Sequence, residues 1–313
     1  VRVAVVDIGS NSTRLLIADV DPAGGGVVEL VRRSEVTRLG EGLEASGSLS
    51  EQAIARVVAT LCQYRHAIDS HDVGANIAVL TAAVREASNG ATFAARVREQ
   101  FELDARVLSG DEEAQLTFLG ATWEPPTGER SAPDEPTVVV DIGGGSTEFI
   151  VGRGRRAGFH TSLPVGVVRM SERHIHSDPP ASEEVEGLAG DARRIVHAGL
   201  PESERAGVRH GIAVAGTATS AAAIDQALDP YDPTRVHGYV LTGATVERLR
   251  ARAAAMTESE RRSLRGLHPD RAPTIVAGLV ILGEALRAFA LDAVTVSEHD
   301  ILHGGALRLG GLG

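Results

Sequence analysis

Apolar positions open the chain and return in the same form much later. Arg2 leads into the unbroken run Val3, Ala4, Val5, Val6, which predicts a buried strand over residues 2–7. A glycine-containing turn follows, and residues 14–20 read as a second strand. Residues 137–141 are another β-branched run, 142–146 another turn, and 147–151 run onward as a strand. Laid together, the two stretches read VVDIGSNSTRLLI and VVDIGGGSTEFIV, so that Asp141 stands where Asp7 stands. Their separation is far longer than a solenoid repeat. Two similar domains, each opening with strand, DIG turn and strand, explain it.

Between the copies, Ile54, Val57, Val58, Leu61 and Ile68 follow a helical stripe, with Ser48 and Glu51 at capping-box spacing. Residues 76–80 and 105–108 read as strands, and 91–101 and 111–119 as helices. The segment EPPTGERSAPDEPT then breaks the pattern with Pro, Gly and acids. It divides a first domain over 1–123 from a second over 137–300, with 124–136 as linker. In the second half, helices are expected over 183–198, 217–227 and 246–255. A long apolar helix is expected over 272–290 with Pro273 in its first turn. Strands are expected at 211–215 and 293–297, and a terminal helix over 301–309, within a last segment 301–313 that packs back on the first domain. Strands alternating with helices indicate an α/β fold.

Composition narrows the function. The chain has 313 residues, 43% hydrophobic and 23% charged, the balance of a folded soluble protein with room for two domains. Aromatics at 3% leave little for stacking on single-stranded nucleic acid. A net charge of −11 argues against general binding of nucleic acid or anionic membranes. All 31 basic residues are arginine, so lysine chemistry is excluded: no P-loop lysine, no Schiff base, no lysine general base. Cys62 has no partner for an intrachain disulfide, and its place in the helical stripe reads as a buried thiol. No leader pattern and no membrane-length apolar run is visible, and a cytoplasmic location is expected.

The DIG turns carry the first candidate chemistry. Glycines let backbone N–H groups converge on an anion, and neighbouring hydroxyls add donors. Residues 9–12, with Ser10, Asn11 and Ser12, and residues 143–146, with Gly143, Gly144, Gly145 and Ser146, would make two phosphate cradles. Asp7 and Asp141, at the ends of the preceding strands, are placed to hold a divalent metal. Two tight turns with Asp as turn former are the plain alternative. Glu148, two residues past Ser146, is a further carboxylate for metal or water. SGDEEAQ, 109–115, puts Asp111, Glu112 and Glu113 at a helix start, where acids also favour the dipole. Pattern alone does not choose among them. Arg85 lies between a strand and a helix, a place for a ligand clamp. RGRR, 153–156, reads as a hairpin turn in water. His299 and His303, four apart, would share a helix face without a third ligand to complete a zinc site.

Together VAVVDIGSNSTRLLIADV, LTAAVREASN, VLSGDEEAQLTFLGA, VVVDIGGGSTEFIVG and RVHGYVLT resemble the exopolyphosphatase and guanosine-pentaphosphate phosphohydrolase family. That family belongs to the acetate and sugar kinase/actin-like superfamily. The resemblance implies two ribonuclease-H-like domains with a cleft between them. It implies hydrolysis of the terminal phosphoanhydride of inorganic polyphosphate with Mg²⁺ or Mn²⁺, favouring short chains because the additional helical domain of longer members is not seen. Glu113 would be the base that positions water, with Glu112 as the fallback. Asn11, Ser12, Gly143, Ser146 and Arg85 would hold phosphate, and Asp141 and Glu148, supported by Asp7, the metal and water. Gly216 and Thr217, in AVAGTATS, resemble the superfamily's third glycine loop. Guanosine pentaphosphate is the alternative substrate. A kinase and an actin-like scaffold are more distant readings, and a homodimer is among the expected states. The family's terminal Ser-x-x-Gly-Leu-Arg-Glu-Gly reads SEHDILHG here, with Asp300, Leu302 and His303 as departures.

Overall fold

The computed structural model describes residues 1–23, 25–123 and 135–312, the side chain of residue 44 excepted. The chain forms two units, Val1–Ala132 with Asp300–Gly313, and Pro133–His299. The expected linker lies outside the described residues except at 135 and 136.

Unit 1 holds one sheet of β1 (Arg2–Ile8), β2 (Ser12–Val20), β3 (Val27–Val36), β4 (Ala75–Leu80) and β5 (Ala105–Val107), in the order β3-β2-β1-β4-β5. The three first strands are antiparallel, and β4 and β5 continue parallel to β1. Unit 2 repeats this plan. Its strands are β6 (Thr137–Ile142), β7 (Thr147–Arg153), β8 (Arg156–Leu163), β9 (His210–Val214), β10 (Val240–Thr242) and β11 (Ala293–Val296), in the order β10-β11-β9-β6-β7-β8. Again the hairpin strands are antiparallel, and β9 and β11 follow in parallel. Only the added edge strand β10 breaks the correspondence.

The apolar run of β1 is continuous because both of its faces are covered. Ala4, Val6 and Ile8 pack with Leu15, Ile17 and the helices of one side. Val3 and Val5 pack on the other with Leu16, Ala18, Leu116, Ile301, Leu302 and Ala306. Each fully buried Val, Leu or Ile contributes roughly 1.5–3 kcal/mol relative to exposure. The helices Gly110–Thr122 and Ile301–Leu309 meet on this second side at two glycines. A Cβ at Gly120 would lie 2.0 Å from the Asp300 carbonyl oxygen, and one at Gly304 would lie 1.9 Å from that of Leu116. Only glycine lets the two backbones approach so closely.

Several expectations change. Strands β3, β8 and β10 lay in stretches without a clear period; β3 is an edge strand exposed along most of its length. The RGRR segment is the hairpin turn expected of it, leading from β7 into β8 with Gly154 at φ 56°. The helix Glu51–Asp69 is capped by Ser50, whose hydroxyl accepts from the Ala53 amide, so the Ser48–Glu51 capping box does not form. Cys62 is exposed, since one 100° step from buried Leu61 turns it away from the core. The long apolar helix is Ile275–Ala288; Pro273 precedes it, after a 3₁₀ turn at Pro269–Arg271. The terminal helix is Ile301–Leu309 and belongs to unit 1. Among the described residues, no helix is long and apolar enough to cross a membrane.

Candidate active site

Both DIG turns close in the same way. Gly9 N–H donates to the Ser12 carbonyl at 3.0 Å, and Gly143 N–H donates to that of Ser146 at 2.9 Å. A Cβ on either glycine would stand 3.2 Å from that same carbonyl oxygen, which explains why both are glycine. A Cβ at Gly145 would meet nothing within 4 Å, and the matching residue of the first loop is Asn11.

Each loop is also tied back through its carbonyls. In unit 1, the Asn11 carbonyl accepts from the Thr37 and Arg38 amides and that of Ser10 from Gly40. In unit 2, the amides of Val167 and Val168, opening the helix Val167–His174, donate to the Gly143 and Gly144 carbonyls. Arg169 Nε donates to the Gly145 carbonyl at 3.0 Å. Gly166 lies against this loop so closely that a Cβ there would come within 2.4 Å of the Ser146 nitrogen. With their carbonyls engaged, the loop peptides are held in fixed orientations, the preorganisation that anion binding by backbone amides requires.

The acid-rich helix Gly110–Thr122 separates its two glutamates by role. Ser109 is the N-cap, and its hydroxyl accepts from the Glu112 amide. Glu112 reaches back to the Ser109 amide at 2.8 Å and hydroxyl at 3.0 Å, completing a capping box. These bonds, from the Ser109 backbone first and its hydroxyl second, hold the Glu112 carboxyl below its ordinary value. A carboxylate so satisfied is a poor base. Glu113 points elsewhere: Arg85 Nη1 donates to its Oε2 at 3.0 Å and to the Leu108 carbonyl at 2.8 Å. Arg85 itself comes from the short helix Ala82–Glu86 that follows β4.

The loops differ in one charge. Asp7 pairs across the hairpin with Arg14, whereas Asp141 pairs across its hairpin with Glu148. Arg14 meets Asp7 Oδ2 through Nη2 at 2.7 Å and Nε at 2.9 Å, and its Nη1 binds Asp300 Oδ2. In unit 2 the Ser146 and Ser162 hydroxyls both donate to Glu148 Oε1 at 2.7 Å. Glu148 Oε2 has no hydrogen-bond partner among the described residues. Asp141 and Glu148 thus stand directly opposite each other on one sheet face. An all-oxygen set of carboxylates and hydroxyls suits a hard divalent ion such as Mg²⁺ or Mn²⁺, so Asp141 and Glu148 fit a metal. Asp7 does not fit in the same way: it is buried, and Arg14 already supplies its counter-charge.

The second-tier residues sit differently from one another. A Cβ at Gly216 would fall 1.2 Å from Arg271 Nη1, so that guanidinium lies directly over the glycine. Thr217 is buried, and its side chain fills the space beside Gly278. His299 and His303 do not share a helix, because the helix begins at Ile301. The His299 ring packs on His237 with centroids 4.2 Å apart. His303 is buried, with Nε2 2.9 Å from Glu29 Oε1.

Sequence reading missed Arg14, Asp300, Ser162, Gly166 and Arg169 as supports of the loops. For Arg14 a signal was present: the aligned copies already set it against Glu148. Asp300 was visible as a departure, without its partner.

The sequence model of the Ppx/GppA phosphatase family matches residues 16–309. The chain is 37% identical to Exopolyphosphatase 2 of Mycobacterium tuberculosis, over 99% of each protein. It is 28% identical to Exopolyphosphatase 1 of Mycobacterium bovis, over 98% of this chain and 88% of the other. The solved structure of the Aquifex aeolicus Ppx/GppA family member is 31% identical and superposes with a TM-score of 0.85, covering 98% of this chain and 97% of that one. A family model matched over residues 16–309 and 37% identity along nearly the whole chain show that the chain belongs to the Ppx/GppA phosphatase family.

Proposed function

We propose that the protein is an exopolyphosphatase, a metal-dependent hydrolase that removes the terminal phosphate of inorganic polyphosphate as orthophosphate. A hydrolase of phosphoanhydrides follows from the family, and the relatives named exopolyphosphatase support this substrate. One observation carries the mechanism: Glu113 is held beside Arg85 while its neighbour Glu112 is spent on the helix cap.

In this reading the amides and hydroxyls of Ser10, Asn11 and Ser12 bind phosphate oxygens, and so do those of residues 143–146. Arg85 offers a planar guanidinium that can leave Glu113 to take a phosphate oxygen. Glu113 accepts a hydrogen bond from water and orients it in line with the terminal phosphorus. The water O–P bond forms as the bridging P–O bond breaks, and the water proton passes to Glu113 and on to solvent. The transition state is loose, so the base has mainly to orient the water. Asp141 and Glu148 would hold Mg²⁺ or Mn²⁺, which when bound neutralises charge on the phosphate oxygens. With no lysine in the chain, protein-borne positive charge at phosphate comes from arginine and backbone dipoles.

The test is orthophosphate release with Mg²⁺ from tripolyphosphate, long-chain polyphosphate and guanosine pentaphosphate, each assayed alone. Polyphosphate is expected to be the better substrate, and the ratio of the first two rates gives the chain-length preference. Release from the nucleotide alone would reassign the protein as a guanosine-pentaphosphate phosphohydrolase. Silence on all three would return attention to phosphate transfer and to a scaffold role.

A further inference from the structure

Asp300 takes part in none of the chemistry above, yet it is buried and charged at the start of the terminal helix. Its two oxygens are used separately. Oδ1 accepts from the Leu302 amide at 3.0 Å, capping the helix, and Oδ2 binds Arg14 Nη1. Arg14 in turn grips Asp7, one residue before the first loop's turn. The Asp300 carbonyl lies where Gly120 lets the Glu113 helix pass, so the same residue touches both functional elements of unit 1. Other charged groups face this spot as well: Arg32, from β3, and His303, one helical turn on. His303 is engaged with Glu29.

A helix cap alone needs only one acceptor and no arginine. A buried ion pair is a weak source of net stability, because desolvation offsets most of the attraction. What a two-sided pair does supply is a fixed position. Arg14 bonded on both sides cannot rotate away from Asp7 without also giving up its bond to buried Asp300, which would keep only the more distant charges of Arg32 and His303, and that is costly.

We infer that Asp300 and Arg14 are positioning residues: the chain Asp300–Arg14–Asp7 braces the first phosphate loop against the terminal helix. This rests on the exopolyphosphatase reading for its kinetic consequence, but not for its structural one. The test compares the intact protein with Asp300→Asn, which keeps a capping oxygen and removes the charge, with Arg14→Gln, and with both together. Because the loop binds phosphate rather than activating water, KM for tripolyphosphate is expected to rise about five- to tenfold, with kcat within about twofold. The double variant should be no worse than either single one, since all three break the same link. Amide hydrogen exchange over residues 8–12 should speed up in each.

Lowered melting temperature with unchanged KM and unchanged exchange would mean a structural ion pair only, and would overturn the brace. Loss of kcat at constant KM would place the effect on the Glu113 helix and overturn it equally. Multiplicative effects in the double variant would do so too. If the parent protein releases no phosphate from any substrate, the functional reading fails. Exchange at residues 8–12 then decides the brace alone: faster exchange supports it, unchanged exchange refutes it. Should Asp300→Asn not fold, Arg14→Gln breaks the same link from the other side and is read identically.

Discussion

Across the hairpin from the loop aspartate stands Arg14 in unit 1 and Glu148 in unit 2. The two turns share their closing bond, Gly9 N–H to the Ser12 carbonyl and Gly143 N–H to that of Ser146, and in both an added Cβ on the glycine would stand 3.2 Å from that carbonyl oxygen. One hairpin therefore carries a cation opposite its aspartate as a side chain, and the other sets a second carboxylate there, the pair proposed above to hold a divalent ion. In the proposed reading that one charge difference makes the first loop a fixed phosphate grip and the second a metal seat. The fixed one is also the more enclosed: Asp7 is 4% exposed, whereas Asp141 and Glu148 are half-buried.

The largest expected effect lies outside the loops and calibrates them. Glu113→Gln should lower kcat about 10³-fold with KM nearly kept, the scale of a lost general base. Glu112→Gln should keep most turnover and lose about 1 kcal/mol of stability as the cap weakens. The reverse pattern in steady-state kinetics and thermal melts would exchange the two roles.

Next in size is Glu148→Arg, which gives the second loop the charge pattern of the first. It should abolish Mn²⁺ binding and cut turnover roughly 10²-fold, the scale of losing charge stabilisation in the transition state. Retained metal-dependent activity would show that the carboxylate pair is not the seat.

A smaller effect sharpens the likeness of the turns. Gly9→Ala and Gly143→Ala should each cost about 1 kcal/mol in chemical denaturation, the low end of overpacking, while Gly145→Ala should cost none of that steric part. Equal costs at 143 and 145 would mean that the shared closing contact does not set the glycine requirement.

The smallest is a pH effect confined to unit 1. Burial opposes ionisation of Asp300, but Arg14, Arg32 and His303 prevail and hold its carboxyl below the ordinary value. The stabilisation is therefore fully present above about pH 4, the unfolded value, and is lost as pH falls through the lower folded value. Asp7 has the opposite sign, since burial outweighs Arg14 and raises its carboxyl. The stability difference between the parent and Asp300→Asn should be constant from about pH 7 to 5 and shrink below about pH 4. A difference that grows on acidification would contradict this direction.

Much of this was legible in the chain. The repeated DIG stretch announced two similar domains, and the structure has two sheets that share a five-strand order, with β10 added at one edge of the second. Period and burial agree wherever a strand is covered on both faces, as in β1. They part at β3, where an edge strand needs no apolar alternation and wrote none. Glu112 and Glu113 could not be separated because helix dipole and catalysis ask for the same residue type at the same place. Only side-chain direction distinguishes them: one folds back on Ser109, the other reaches Arg85. The brace was least legible of all. Arg14 and Asp300 are 286 positions apart, and no local pattern joins residues so distant.

The most direct test of a built-in cation in one loop and an exchangeable one in the other is Mn²⁺ binding. It would be followed by electron paramagnetic resonance on the parent protein, Asp7→Asn and Glu148→Gln. The parent should bind one ion, Asp7→Asn should keep it with near-equal affinity, and Glu148→Gln should lose it. Two ions in the parent, or loss of the ion in Asp7→Asn, would contradict the division of roles between the loops.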